Sequence, residues 1–324
     1  MKKILIIIFL LGELFLIACA QKDKNEGKAP EAPRGYRNET ILKVAYALKF
    51  IDLIETKPAV PENIEVFKGL VYKQIDSIDL KLDIYRSKNL RKAVPVLIFI
   101  HGGGWSKGKR SDYLPYLLDY ALKDYVTVTV SYRLSGVANF PAALEDVKCA
   151  VRWIRENAEE YLIDPNKIAV IGGSAGGHLA MMLAYTNDDE YTEECPDSIS
   201  SKVNAVVNIY GPVDLTTPYA RERGESSSFL GYTYKENPEI YKVASPCTYV
   251  SSDDPPTLTF HGTIDSLVPV SQADSLHKWL DKAGIPNEYH RLKGWPHTMD
   301  ISKKVNDYCQ YYMDGFFEKY LQTY

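Results

Sequence analysis

The sequence has no basic excess. Lys and Arg total 38 against 42 Asp and Glu, a formal net charge of −4. A nucleic-acid binder normally shows a basic face, so this balance argues against one. No block of like charge stands out after residue 30. No CxxC pair and no His-rich spacing occur, so no metal site is expected. Internal repeats are missing too, which argues against a solenoid or a propeller. The N-terminal apolar run, Ile4 to Ile17, is broken by Gly12 and Glu13 and is too short to span a bilayer. Apolar residues, at 45%, are plentiful enough for one large core, and the length of 324 residues fits one large α/β domain. Tyrosine is abundant, with 24 copies. Tyr-rich clefts often contact sugars or flat polar ligands, although such a count also arises as a compositional habit.

The N-terminus reads as an export signal. Met1-Lys2-Lys3 is a short basic start, and the apolar run after it ends in Leu16-Ile17-Ala18-Cys19. That ending resembles a bacterial lipobox, in which the cysteine thiol carries the lipid; a plain secretory signal with a chance cysteine is the alternative. Residues 1–19 are therefore expected to be a lipoprotein signal peptide and 20–40, polar and rich in Pro and Gly, a flexible tether. The expected location is the bacterial cell envelope, lipid-anchored and on the outer membrane. Four further cysteines follow, at 149, 195, 247 and 309, and an envelope location permits disulfides. Cys149 falls in a helical pattern and reads as a core thiol. Cys195 and Cys247 both lie in polar segments leading into apolar strands and are the expected pair.

Beyond the tether, residues 41–63 read as an N-terminal helix or cap segment, with an amphipathic helix over 40–56. Residues 64–324 read as the main domain. The stretches 64–76 and 79–86 alternate with period two and suit an antiparallel pair. PVLIFI, 95–100, is a continuous apolar run, as in a strand buried on both faces. A helix at 112–123 and a strand at 126–132 come next. FPAALEDVKCAVRWIRENAEEY, 140–161, has apolar residues at three-to-four spacing. Strands at 167–173, 203–211, 255–262 and 287–292 then alternate with helices at 175–186, 270–283 and 299–322, and 212–250 reads as irregular. Buried strands alternating with helices imply a mainly parallel sheet covered on both faces, an α/β fold.

Residues 167–182, KIAVIGGSAGGHLAMM, hold one serine among four glycines between a strand and a helix. Gly172-Gly173-Ser174-Ala175-Gly176 has the form G-x-S-x-G, whose sharp turn strains the serine backbone and lifts its hydroxyl above the sheet edge. The helix behind it favours developing negative charge. A glycine turn that only lets helix and strand pack closely is the plainer reading. His101-Gly102-Gly103-Gly104-Trp105 follows the buried strand, and its glycines leave backbone N–H groups unshielded. Amides of Gly103, Gly104 and Ala175 are the expected donors to an oxyanion. A phosphate-binding glycine loop is the alternative, but no Lys-Ser/Thr signature follows it.

A serine hydroxyl needs a base. His101 opens the glycine loop, His178 lies one helical turn past Ser174, His261 ends a strand, His277 is in a polar helix and His290 in a strand. His297, in GWPHTM after the last strand, is placed to reach back to the sheet edge and is the expected base. Asp265, in GTIDSLVP one strand earlier, is the expected acid that orients the imidazole. Asp214, in GPVDLT, is the rival acid or a cap for the segment after it. Trp105, Tyr210 and Tyr232 are the expected pocket walls.

HGGGW, SYRL at 131–134, DPNKIAVIGGSAGGHLA, HGTIDSLVP and the late His297 together resemble the α/β-hydrolase superfamily. The resemblance is to its hormone-sensitive-lipase-like esterase group, close to bacterial feruloyl and acetyl-xylan esterases. It covers roughly 64–322. It implies the α/β-hydrolase fold, an eight-stranded mostly parallel sheet with helices on both faces and an antiparallel second strand. It also implies no cofactor and ester hydrolysis through an acyl-enzyme at Ser174, Asp265 and His297. Many relatives carry an acidic pair after the YRL segment where this chain has SGVANF, a departure from the lipase-like subset. The expected substrates are acetyl or feruloyl esters of polysaccharides, or small esters. A broad short-chain or lipid esterase, an arylformamidase-like amide hydrolase and a non-catalytic binding protein on the same fold are the alternatives. Contact with a membrane is expected only through the N-terminal lipid.

Overall fold

The computed structural model describes residues 29–192, 195 and 198–321. The expected signal peptide, the lipid-bearing Cys19 and residues 20–28 of the tether lie outside the described residues. The chain divides into a short unit, Met1–Glu31, of which only residues 29–31 are described, and a large unit, Ala32–Tyr324, that holds every element below.

Helix α1 (Glu39–Ala47) opens the large unit, with the Asn38 side chain accepting from the Ile41 N–H as its N-cap. Strands β1 (Ile64–Ile75) and β2 (Ile78–Ser87) form the expected hairpin, and β3 (Val94–Ile100) enters the centre of the sheet. Then come α2 (Leu114–Leu122), β4 (Val126–Val130), α3 (Ala142–Glu156), β5 (Ile163–Gly173) and α4 (Ala175–Tyr185). After β6 (Ala205–Ile209) the insert carries three short helices, α5 (Pro218–Arg221), α6 (Gly224–Leu230) and α7 (Pro238–Val243). The domain closes with β7 (Thr257–Gly262), α8 (Ser271–Ala283), β8 (Asn287–Leu292) and α9 (Lys303–Leu321).

The sheet has eight strands in the order β1-β2-β4-β3-β5-β6-β7-β8. β2 pairs antiparallel with both neighbours, and β4 through β8 run parallel around β3. Side chains alternate across a strand, so β3 sends Val96, Ile98 and Ile100 into one buried cluster and Leu97 and Phe99 into another. The helices α3 and α4 cover the first face, and α2 and α9 the second. This is the α/β-hydrolase architecture, and the loops after β3, β5, β7 and β8 gather at the carboxyl ends of the strands.

The SYRL segment owes its fixed place to buried charge. Asp146 on α3 is fully enclosed and pairs with Lys73 Nζ at 2.8 Å and with the Arg133 guanidinium at 2.8 Å, while also accepting the Arg133 N–H. The neighbouring Tyr132 donates its hydroxyl to the His101 carbonyl at 2.9 Å, which ties this segment to the start of the glycine loop.

Several expectations need correction. The tether does not run free to residue 40. The Gly35 and Tyr36 N–H groups donate to the carbonyls of Lys293 and Gly294, and Trp295 Nε1 donates to the Pro33 carbonyl at 2.8 Å. Gly35 can approach this closely because it has no Cβ: one placed there would lie 2.4 Å from the Gly294 backbone. The helix expected over 40–56 ends at Ala47, because Lys49 takes a left-handed φ of 58°. Leu53 then bridges to Ser302 as an isolated antiparallel pair. The insert at 212–250 is less irregular than its composition implies, since Pro218 and Pro238 each start a helix at its first position.

The cysteine pairing also differs. The disulfide joins Cys149 and Cys195, with Cα atoms 5.7 Å apart, while Cys247 and Cys309 are free thiols. Cys149 lies on the face of α3 beneath the segment that follows α4. The partner it meets there is set by the path of that loop, which helical periodicity does not encode. Cys247 is held elsewhere, its N–H donating to the Val213 carbonyl.

Candidate active site

Ser174 occupies the one-residue junction between β5 and α4, with φ 56° and ψ −124°. That region is costly for a residue with a Cβ, by about 1–3 kcal/mol, and is held only where the surroundings fix it. Here the Ser174 N–H donates to the Ile209 carbonyl at 2.9 Å, and its own carbonyl accepts from the His178 N–H. The flanking glycines are required by space. A Cβ on Gly176 would sit 2.0 Å from the Ile100 carbonyl oxygen, and one on Gly172 would sit 2.2 Å from the Gly176 backbone. The turn is thus compressed between β3 and the first turn of α4.

The loop after β3 folds back on itself. Gly103, at φ 112°, gives its carbonyl to the N–H groups of Ser106 and Lys107, and a Cβ on it would meet the Lys107 carbonyl at 2.2 Å. Among the described residues, the N–H groups of Gly103, Gly104 and Ala175 have no acceptor. Three unpaired amides on two adjacent turns form a ready anion-binding set.

Trp105, also at positive φ, anchors that loop. Its indole stacks on Phe229, centroids 4.5 Å apart, and its Nε1–H donates to His178 Nδ1 at 3.2 Å. His178 Nε2 in turn donates to the Ala244 carbonyl at 2.7 Å. The imidazole is therefore neutral with its proton on Nε2, and burial pushes its pKa down to about 4. The chain Trp105–His178–Ala244 links the glycine loop, α4 and the end of α7.

His297 and Asp265 meet directly: His297 Nδ1 lies 2.7 Å from Asp265 Oδ2. The carboxylate is buried, and Oδ1 accepts the N–H groups of Leu267 and Val268 at 2.9 and 2.8 Å. A second imidazole, His261, points Nε2 at the Val268 carbonyl, 2.9 Å away, and lies 3.3 Å from Asp265 Oδ2. Burial alone would raise the Asp265 pKa. Bonds from His261 and His297 and from the Val268 N–H outweigh it and hold the carboxyl well below the usual carboxylate range. Asp214 takes no part here; its Oδ1 accepts from the N–H and hydroxyl of Thr216 in a local turn.

Ser174, His297, the glycine loop and Ala175 all line one cavity of about 710 Å³. The Ser174 hydroxyl has no hydrogen-bond partner among the described residues, so its link to His297 is open in this structure. Such contacts often close only with substrate bound. Trp105 and Tyr210 also line the cavity; Tyr232 does not, being 51% exposed with its backbone carbonyl bound to the Tyr241 hydroxyl. Tyr219 is the insert's tyrosine on the wall.

Two residues at the site, Asp300 and His261, gave no functional signal in the sequence, and Tyr210, expected only as a pocket wall, has a further contact. Tyr210, forced to φ 45°, packs its ring 4.4 Å from that of His297 and donates its hydroxyl to Asp300 Oδ1 at 2.5 Å. Burial raises the pKa of Asp300, while the Tyr210 hydrogen bond and the nearby His297 work against that rise. His261, read only as a strand end, is the other. Among the described residues no cluster of His, Cys, Asp and Glu is arranged to hold a metal ion.

Comparison with known proteins agrees with this geometry. The BD-FAE family model matches residues 82–280. Esterase LipC of Mycobacterium tuberculosis is 38% identical over 229 residues, 68% of this chain and 57% of that protein. The chain spans little more than half the length of that curated relative. Among solved structures, a truncated carbohydrate esterase from gut microbiota superposes with a TM-score of 0.68 at 27% identity, covering 78% of this chain and 98% of that one. A thermophilic esterase of Thermogutta terrifontis gives 0.69 at 28% identity, covering 82% and 95%.

Proposed function

Since the chain belongs to the BD-FAE family of hormone-sensitive-lipase-like α/β-hydrolases, we propose that it hydrolyses carboxylic esters through an acyl-enzyme on Ser174. One observation carries the reading. A strained serine, an imidazole held by a buried carboxylate and three amides without acceptors share one cavity.

In this reading His297 Nε2 takes the Ser174 proton as the hydroxyl oxygen bonds to the ester carbonyl carbon. The N–H groups of Gly103, Gly104 and Ala175 receive the oxyanion; losing one such donor costs about 10²–10³-fold in rate. Asp265 holds the imidazole with its proton on Nδ1 and stabilises the imidazolium. The imidazolium then gives its Nε2 proton to the departing alkoxide, and the C–O bond breaks. Water, deprotonated by the same nitrogen, attacks the acyl carbon and releases the acid, returning the proton to Ser174.

The acyl groups proposed are acetyl or feruloyl, carried by polysaccharides or small esters. The carbohydrate esterase from gut microbiota supports this, as do the aromatic walls supplied by Trp105, Tyr210 and Tyr219. An N-terminal lipid on Cys19, with an outer-membrane location, is part of the same proposal and rests on the lipobox-like Leu16-Ile17-Ala18-Cys19. The test is release of acetate or ferulate from p-nitrophenyl acetate, methyl ferulate and acetylated xylan. The Ser174→Ala protein serves as blank. Turnover that disappears in the variant supports the reading; no turnover on any ester favours a binding protein on this fold.

A further inference from the structure

The insert places one cation in the cavity whose charge no carboxylate among the described residues balances. Arg223 lies in the turn between α5 and α6, half-buried, on the cavity wall. Its Nη2 donates to the Ser266 main-chain carbonyl at 3.0 Å, and its guanidinium stands 5.9 Å from the centre of the Tyr219 ring. Both partners are neutral. Among the described residues no carboxylate pairs with it, whereas Arg86, Arg110, Arg133 and Arg291 are each joined to one. None of the acids nearby forms an ion pair with it among the described residues. Asp265 is bound to His297, His261 and two N–H groups, and Glu39 pairs with Lys43. Glu225 lies against Gly104 on the glycine-loop side of the cavity.

Position gives this charge a meaning. Ser266 follows Asp265, the residue that holds His297, so the guanidinium is tied to the imidazole's side of the cavity. In the hydrolysis proposed above, on which this inference rests, the imidazolium protonates the departing alcohol. The alcohol part of the ester therefore lies on that side. A guanidinium anchored through one nitrogen keeps further N–H donors in a fixed plane, the geometry that binds a carboxylate in two-point fashion. We infer that Arg223 binds a carboxylate carried by the alcohol part of the substrate. The preferred esters are then those of sugar acids or other hydroxy acids, rather than of neutral alcohols.

The test uses the full chain and two aryl acetates, 4-acetoxybenzoate and its neutral methyl ester. The readout is the ratio of their kcat/KM values, in which the intrinsic difference between leaving groups cancels on comparing variants. Arg223→Gln should lower the anionic-to-neutral ratio about tenfold or more, and Arg223→Lys should keep part of it. High salt should compress the wild-type ratio toward that of Arg223→Gln. If both esters slow equally in Arg223→Gln, the side chain only ties the insert to the Asp265 turn and the inference is overturned. Absence of turnover by the wild type, or full turnover by Ser174→Ala, removes the hydrolase reading and this inference with it.

Discussion

Acidification should destabilise this protein through a histidine that never handles a substrate proton. His178 is fully enclosed, donates from Nε2 to Ala244 and accepts the Trp105 indole N–H at Nδ1, so both nitrogens are satisfied only in the neutral ring. Its pKa is pushed down to about 4 by burial, from an ordinary 6.5. In the unfolded chain the ring takes up a proton as the pH falls below about 6.5, while the folded protein does not until about 4. The unfolded state thus binds more protons across that window, and stability falls with pH inside it. A shift of this size amounts to about 3 kcal/mol, a large share of an ordinary domain's stability. Urea unfolding of the wild type and of His178→Gln, from about pH 7 to about pH 4, measures it. At neutral pH the variant should be less stable by about 1–3 kcal/mol, since it disturbs two buried hydrogen bonds. Toward pH 4 the gap should close by about 3 kcal/mol, because glutamine does not titrate. Parallel stability curves for the two proteins would refute the reasoning.

Other outcomes follow from single contacts. Asp265→Asn should cut kcat by about 10⁴-fold in a p-nitrophenyl ester assay, since an amide neither fixes the His297 tautomer nor stabilises its cation. Gly176→Ala should give little folded protein by circular dichroism, because its methyl would stand 2.0 Å from a β3 carbonyl oxygen that cannot yield. Asp146→Asn should cost up to about 3–5 kcal/mol in denaturant unfolding, as it removes the buried carboxylate shared by Lys73 and Arg133, although Arg133 keeps Glu145 at 3.2 Å. Replacing Cys149 and Cys195 by alanine should lower stability by up to about 4 kcal/mol on the loop-entropy estimate for a separation of 46 residues. The same change at Cys247, a free thiol, should leave unfolding under reducing and oxidising conditions alike.

What the sequence disclosed, and what it hid, divides along the range of the interactions. β3 and β5 are readable because a strand buried on both faces must be apolar throughout. The Ser174 turn is readable because only glycine fits at 172 and 176. These are local constraints that each residue must obey by itself. The Cys149–Cys195 bond, the docking of Gly35 and Tyr36 on the loop before His297, and the place of Tyr232 outside the cavity depend on where distant loops cross. His261 and Asp300 show the same limit at the site. Each is an ordinary polar residue in sequence, and its meaning comes from a carboxylate or a tyrosine hydroxyl brought alongside by the sheet. Arg223 is the extreme case, since its interest lies in a partner that the chain does not supply.

The central claim is that Ser174 carries the acyl group between the two half-reactions. Acid-quenching the protein during turnover of a p-nitrophenyl ester, then locating the added acyl mass by peptide mapping, tests it most directly. The account predicts an acyl mass on the peptide containing Ser174, absent from Ser174→Ala and formed far more slowly in His297→Ala, which lacks the base for acylation. An acyl mass on any other residue, or wild-type turnover by Ser174→Ala, would contradict it.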